Sequence, residues 1–75
     1  MSDQTNSSRT LALAAREAAR LTVERHPGLD LAALVEAALG EHPELRTKDI
    51  KAAIIALLNR GILVQNLADG RINLG

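Results

Sequence analysis

Apolar residues recur along this chain at two periods, and the change between them marks its organisation. From Thr47 to Gly61, the residues Ile50, Ala53, Ile54, Leu57 and Leu58 fall at helical spacing on one face. The opposite stripe carries Lys48, Lys51, Ala52, Ile55 and Asn59. Thr47 is a suitable cap, with a side-chain oxygen for the free backbone donors of the first turn. Asp49 places negative charge where the helix dipole favours it. Gly61 supplies the left-handed residue that stops such a helix, with Ile62 set to touch Leu57 behind it. The period then becomes two. Ile62 to Asn66 reads as a strand, Ala68-Asp69-Gly70 as a turn, and Arg71 to Leu74 as the returning strand. Alternation puts Ile72 and Leu74 on one face of it, Arg71 and Asn73 on the other.

Two more helices precede this stretch. The first has Leu11, Ala14, Ala15, Ala18 and Leu21 as its apolar stripe. Ser8 or Thr10 suits its start, and it must end near His26, because Pro27 disfavours helix in the residue before it. Arg9, Arg16 and Arg20 share an outer stripe read as a solvated face, and Arg20 is spaced to pair with Glu24. Pro27-Gly28 is a turn, Leu29 is extended, and Asp30 caps the second helix, LAALVEAAL. That helix turns Leu31, Leu34, Val35 and Ala38 inward and ends at Gly40. The connection GEHPELR, residues 40–46, reads as surface and exceeds the turn of about 3–4 residues in a minimal helix-turn-helix. Residues 1–7 are polar and aperiodic and are expected to form a disordered tail, which leaves one domain over residues 8–75. The expected fold is mostly α with a small β-hairpin, in the order α-α-α-β-β. An amphipathic helix running straight into a two-stranded turn is the C-terminal half of a winged helix.

Composition narrows the chemistry. The chain has 75 residues, no cysteine and no Phe, Tyr or Trp. A domain of this size buries only roughly 60% of its unfolded surface, so its stability should be modest. Neither a disulfide framework nor a thiolate metal site is available. No aromatic platform exists for stacking single-stranded nucleic acid. The net charge of zero argues against coating DNA through bulk electrostatics but leaves room for a local basic patch. The sequence has no apolar run of about 18 residues that would span a membrane. The opening MSDQTNSSRT lacks a signal peptide's apolar segment, so a cytoplasmic protein is expected.

Two surfaces are candidates for function. Arg46, Thr47, Lys48, Lys51, Asn59 and Arg60 gather on the third helix, with Arg71 and Asn73 on the hairpin. Helix N-termini hold phosphates, and helix side chains reach base edges in the major groove, so these residues suit double-stranded DNA. With only about four to six cations, such binding would be weak and steeply salt-sensitive unless a dimer or larger assembly formed. Ala52, Ile55, Ala56 and Leu67 instead suit a protein partner or a second copy of the chain. Catalysis is not expected. His26 and His42 each precede a proline and read as element boundaries, and Glu41 and Glu44 are the only carboxylates local to His42. No glycine-rich phosphate loop, cysteine nucleophile or Ser/His/Asp set stands out, and no metal, cofactor or small-molecule substrate is expected.

The segments GLDLAALVEAAL and IKAAIIALLNRGILVQ resemble the globular domain of linker histones. The second carries an Ile-Lys opening, an inward Ile and Leu-Leu pair, a glycine, an apolar pair and Gln65. The resemblance covers about residues 10–74 and implies a winged-helix fold that meets DNA through its third helix and wing. Lys51 stands where that family has a DNA-facing lysine. Ile55 and Ala56 stand where it usually carries basic residues, and Val64 and Leu67 replace basic wing positions. The resemblance therefore implies the fold and part of the DNA surface, as in a nucleoid-associated or transcription regulatory factor.

Overall fold

The computed structural model describes the backbone of residues 2–75 and the side chains of residues 10–75. Met1 lies outside the described residues, and the tail expected over residues 1–7 falls on it and on positions whose side chains are not described. Three helices are followed by an antiparallel hairpin: α1 (Ser2–Arg25), α2 (Leu31–Glu41), α3 (Thr47–Asn59), β1 (Leu63–Gln65) and β2 (Ile72–Leu74). This is the expected α-α-α-β-β order, in an arrangement compatible with a winged-helix layout.

Helix α1 is continuous from Ser2, so neither Ser8 nor Thr10 stands at its start. It packs chiefly on α3. Its buried stripe is Ala15, Ala18, Ala19, Thr22 and Val23, whereas Leu11 and Ala14 are exposed and Leu21 is half-buried. The stripe is thus rotated from the one that leucine spacing predicted. Alanine there lets the backbones approach, and a polar residue takes a core position because its hydroxyl is satisfied. The Thr22 hydroxyl lies 2.7 Å from the Ala18 carbonyl oxygen and 3.1 Å from a Glu41 carboxylate oxygen. Counting apolar residues passes over such a position.

The two ends of α2 are closed differently. Asp30 caps its start as expected, accepting from the Ala33 amide at 2.8 Å. At the other end Gly40 lies inside the helix, which continues to Glu41, and the His42 amide donates to the Ala38 carbonyl at 2.8 Å. Pro43 supplies the stop, since it has no amide to donate and disfavours helix at His42. In the connection that follows, Pro43 and Glu44 are exposed, but Leu45 is buried and belongs to the core.

Helix α3 buries Ile50, Ala53, Ile54 and Leu57. Its cap position is Arg46, not Thr47, and no side chain caps it. The Arg46 carbonyl accepts from the Asp49 and Ile50 amides, both at 3.0 Å, which makes Thr47 the first helical residue. The far end closes as expected. Gly61 has φ of 77°, its amide donates to the Leu58 carbonyl at 3.1 Å, and the Ile62 amide donates to the Leu57 carbonyl at 3.0 Å. These are the paired bonds of a Schellman stop.

In the hairpin Leu63 pairs with Leu74, Val64 with Asn73 and Gln65 with Ile72. Both strands are shorter than expected, because the turn occupies residues 66–71. Asn66 accepts from the Gly70 amide at 2.6 Å through its carbonyl and from the Ala68 amide at 2.9 Å through its side chain. Asp69 accepts from the Arg71 amide at 3.0 Å. Short polar side chains of this kind hold a turn by bonding the backbone two residues on. On its other edge β2 meets Leu29 in an antiparallel bridge, so β2 lies between Leu29 and β1. Leu63 and Ile72 are fully buried against the helices, while Leu74 stays half-exposed.

Candidate nucleic-acid interface

No side chain among the described residues caps the start of α3. The amides of Thr47 and Lys48 have no hydrogen-bond partner among the described residues, as expected of first-turn donors that nothing caps. The start of α2 is different, because the Asp30 carboxylate already occupies it. Burial of Ile50, Ala53, Ile54 and Leu57 fixes the rotation of α3, and this turns Lys48, Lys51, Ile55 and Asn59 to the outside. Arg46, Thr47, Lys48 and Lys51 are all exposed around the open amides. Arg46, Lys48 and Lys51 form no ion pair among the described residues. Positive side chains, free amide donors and the positive end of the helix dipole coincide on the side of Lys48 and Lys51, which is the arrangement that binds anions, while the Asp49 carboxylate of the same turn, on the flank towards α1, counters part of that charge.

The remaining DNA candidates lie elsewhere. Asn59 and Arg60 are exposed at the C-terminal end of α3, about 20 Å along the helix axis from Arg46. Arg60 there also complements the helix dipole, a structural reason for its charge. Arg71 is exposed beside the hairpin turn, with its Nε 3.7 Å from Asp69 Oδ2, so its charge is partly countered. Asn73 is half-buried on β2 opposite Val64. The structure thus gathers Arg46, Thr47, Lys48 and Lys51 and separates the others from them.

The apolar candidates do not form one site either. Ala52 and Ala56 line a groove of about 220 Å³ between α1 and α3. Leu11, Ala12 and Arg16 form the α1 wall, and Asp49 and Ala53 complete the α3 wall. Ile55 is half-exposed on the neighbouring stripe of α3, outside the groove, and Leu67 is 96% exposed in the hairpin turn. Arg16 and Leu11 thus share the groove wall, whereas periodicity alone puts Arg16 on a solvated face and Leu11 in the core. Leu11 stays open because the α3 side chains across the groove from it are Asp49 and small alanines, which a stripe counted along α1 alone does not reveal.

A polar cluster joins the C-terminal ends of α1 and α2. Glu41 accepts from Arg25 at 3.2 Å and from the Thr22 hydroxyl at 3.1 Å, with His26 Nε2 at 3.8 Å. Burial works to raise the Glu41 pKa, but the hydrogen bonds from Arg25 and Thr22, aided by the charges of Arg25 and His26, outweigh it and leave the carboxyl below its ordinary 4.5. His42 points instead to Glu44, at 3.7 Å. Among the described residues no group of three or more His, Cys, Asp or Glu side chains is placed to hold a metal ion. Among them, too, no helix is long and apolar enough to cross a membrane. The chain matches no protein-family model, no curated protein and no solved structure.

Proposed function

We propose that this chain is a non-enzymatic winged-helix protein that binds double-stranded DNA, in a nucleoid-associated or regulatory role. The single observation that carries this reading is the uncapped start of α3, where the Thr47 and Lys48 amides stand free amid exposed, unpaired Arg46, Lys48 and Lys51. A phosphate oxygen there would receive amide hydrogen bonds and three nearby positive charges. The bridge between Leu29 and β2 supports the winged-helix part, since it adds a third extended segment beside the hairpin. The wing would bring Arg71 towards the neighbouring backbone, and its competition with Asp69 makes it the weaker contributor. Contacts of this kind hold the duplex by its phosphates and carry little sequence information.

Random-sequence duplex titrated into isotopically labelled protein tests the reading at low and then physiological salt. Amide shifts centred on Thr47, Lys48 and Lys51, fading as salt rises, are expected. Absence of any shift at low salt overturns it.

A further inference from the structure

We infer that the groove between α1 and α3 is the contact surface of a two-fold dimer of this chain. Leu11 and Ala12 continue the core side of α1 one turn ahead of Ala15, where they face α3 across an open groove and both are exposed. Leu11 is 49% exposed there. Across the groove α3 presents Ala52, Ala53 and Ala56, with Asp49 beside them. One surface thus carries a large apolar knob beside a shallow, small-residue hollow. A two-fold axis needs this property, because residue i of one copy meets residue j of the other and j meets i.

Charge selects the occupant. Arg16 on one wall and Asp49 on the other both line the groove, and neither forms an ion pair among the described residues. A second copy turned by 180° sets each Arg16 against the partner's Asp49, twice per dimer, with no other group required. A DNA backbone would meet Asp49 unfavourably, and a purely apolar segment would leave both charges without partners. The zero net charge of the chain places no overall repulsion between two copies.

This surface borders the DNA face along α3. Asp49, Ala53 and Ala56 lie on the flank towards α1, Lys48, Lys51, Ile55 and Asn59 on the outer stripe, and Ala52 stands where the two meet. Dimerisation engages Asp49 of the first turn but leaves the outward Lys48 and Lys51 of each copy exposed, so a dimer offers a duplex two sets of phosphate contacts. The inference does not depend on DNA binding, and its test uses none.

Sedimentation equilibrium of the full chain over a range of concentrations measures the association. The mass is expected to rise from one 8.0 kDa chain to two. Leu11→Asp, Arg16→Asp and Asp49→Arg should each remain monomeric while keeping wild-type helical circular dichroism. An equimolar mixture of Arg16→Asp with Asp49→Arg should recover the dimer, because every cross-copy contact then joins opposite charges. Three results overturn the inference: a wild-type chain that stays monomeric throughout, a dimer indifferent to all three substitutions, or recovery in the doubly substituted chain but not in the mixture. The last would show that the two charges act within one chain.

Discussion

Ile72 donates its amide to the Leu29 carbonyl at 2.8 Å and accepts the Gly28 amide at 3.2 Å, so β2 is tied to the segment ahead of α2 as well as to β1. The same residue is fully buried. Backbone pairing and core packing therefore meet at one position, and the hairpin is anchored there. Ile72→Ala should cost about 2–5 kcal/mol by leaving a cavity. A chain of this length holds only about 4–11 kcal/mol in total, so the loss is a large share of its stability. Leu74→Ala, at a half-exposed position, should cost about 1 kcal/mol or less. Urea unfolding of both variants checks this, and equal midpoints would contradict the anchoring.

Gly40 and Gly61 should respond to alanine in opposite directions. Gly61 has φ of 77°, where a side chain is strained even though a Cβ would meet nothing within 4 Å. Gly61→Ala is expected to destabilise by about 1–2 kcal/mol. Gly40 is exposed inside α2, outside the positive-φ glycines, and a Cβ there also meets open space. Gly40→Ala is expected to stabilise by about 0.5–1 kcal/mol. Thermal melts of the two variants give the signs directly.

Removal of the Asp30 carboxylate, in Asp30→Ala, frees the Ala33 amide it now caps and should cost about 1 kcal/mol. The start of α3 has no such cap to lose, so Thr47→Ala should change stability by less than about 0.5 kcal/mol. Denaturant midpoints of the pair separate a capped terminus from an open one. A large loss in Thr47→Ala would place a cap where the structure shows none.

Glu41 makes stability depend on acid. Its folded pKa lies below the ordinary 4.5, so the carboxylate stabilises the fold above that value. The contribution is lost as the pH falls through the lowered folded pKa, where the group protonates in both states. Glu41→Gln has no such titration. The wild type should be the more stable protein at neutral pH, and the gap should close in acid. Urea midpoints at neutral and strongly acidic pH measure it, and a gap independent of pH would show that the Arg25 and Thr22 contacts do not act through the charge.

DNA binding by the start of α3 should be readable in its salt dependence. Lys48→Ala and Lys51→Ala should each weaken affinity on all sequences alike and lower the slope of log affinity against log salt by about 0.9. Fluorescence anisotropy across a salt series provides the slopes. Slopes unchanged in both variants would move the phosphate contact away from this helix end.

Much of the architecture was legible along the chain, because the features concerned are local. The inner face of α3, the Gly61 stop, the Asp30 cap and the break at Pro27 each depend on residues within a turn or two of one another. Period and backbone chemistry suffice for these. The exposure of Lys48, Lys51, Ile55 and Asn59 followed from the same periodicity, since burying one face of a helix dictates the other. Tertiary structure decided what depends on reach and on distant partners. Thr22 enters the core because Glu41, far along the chain, and Ala18 satisfy its hydroxyl. Leu45 is buried although its neighbours are not, because the core rises to meet the connection there. Leu11 is left half-exposed because only Asp49 and small alanines of α3 face it across the groove, and Arg16 and Asp49 share that groove only once α1 and α3 are docked. Periodicity says which way a side chain points along its own element; only the assembled elements determine what, if anything, it meets there.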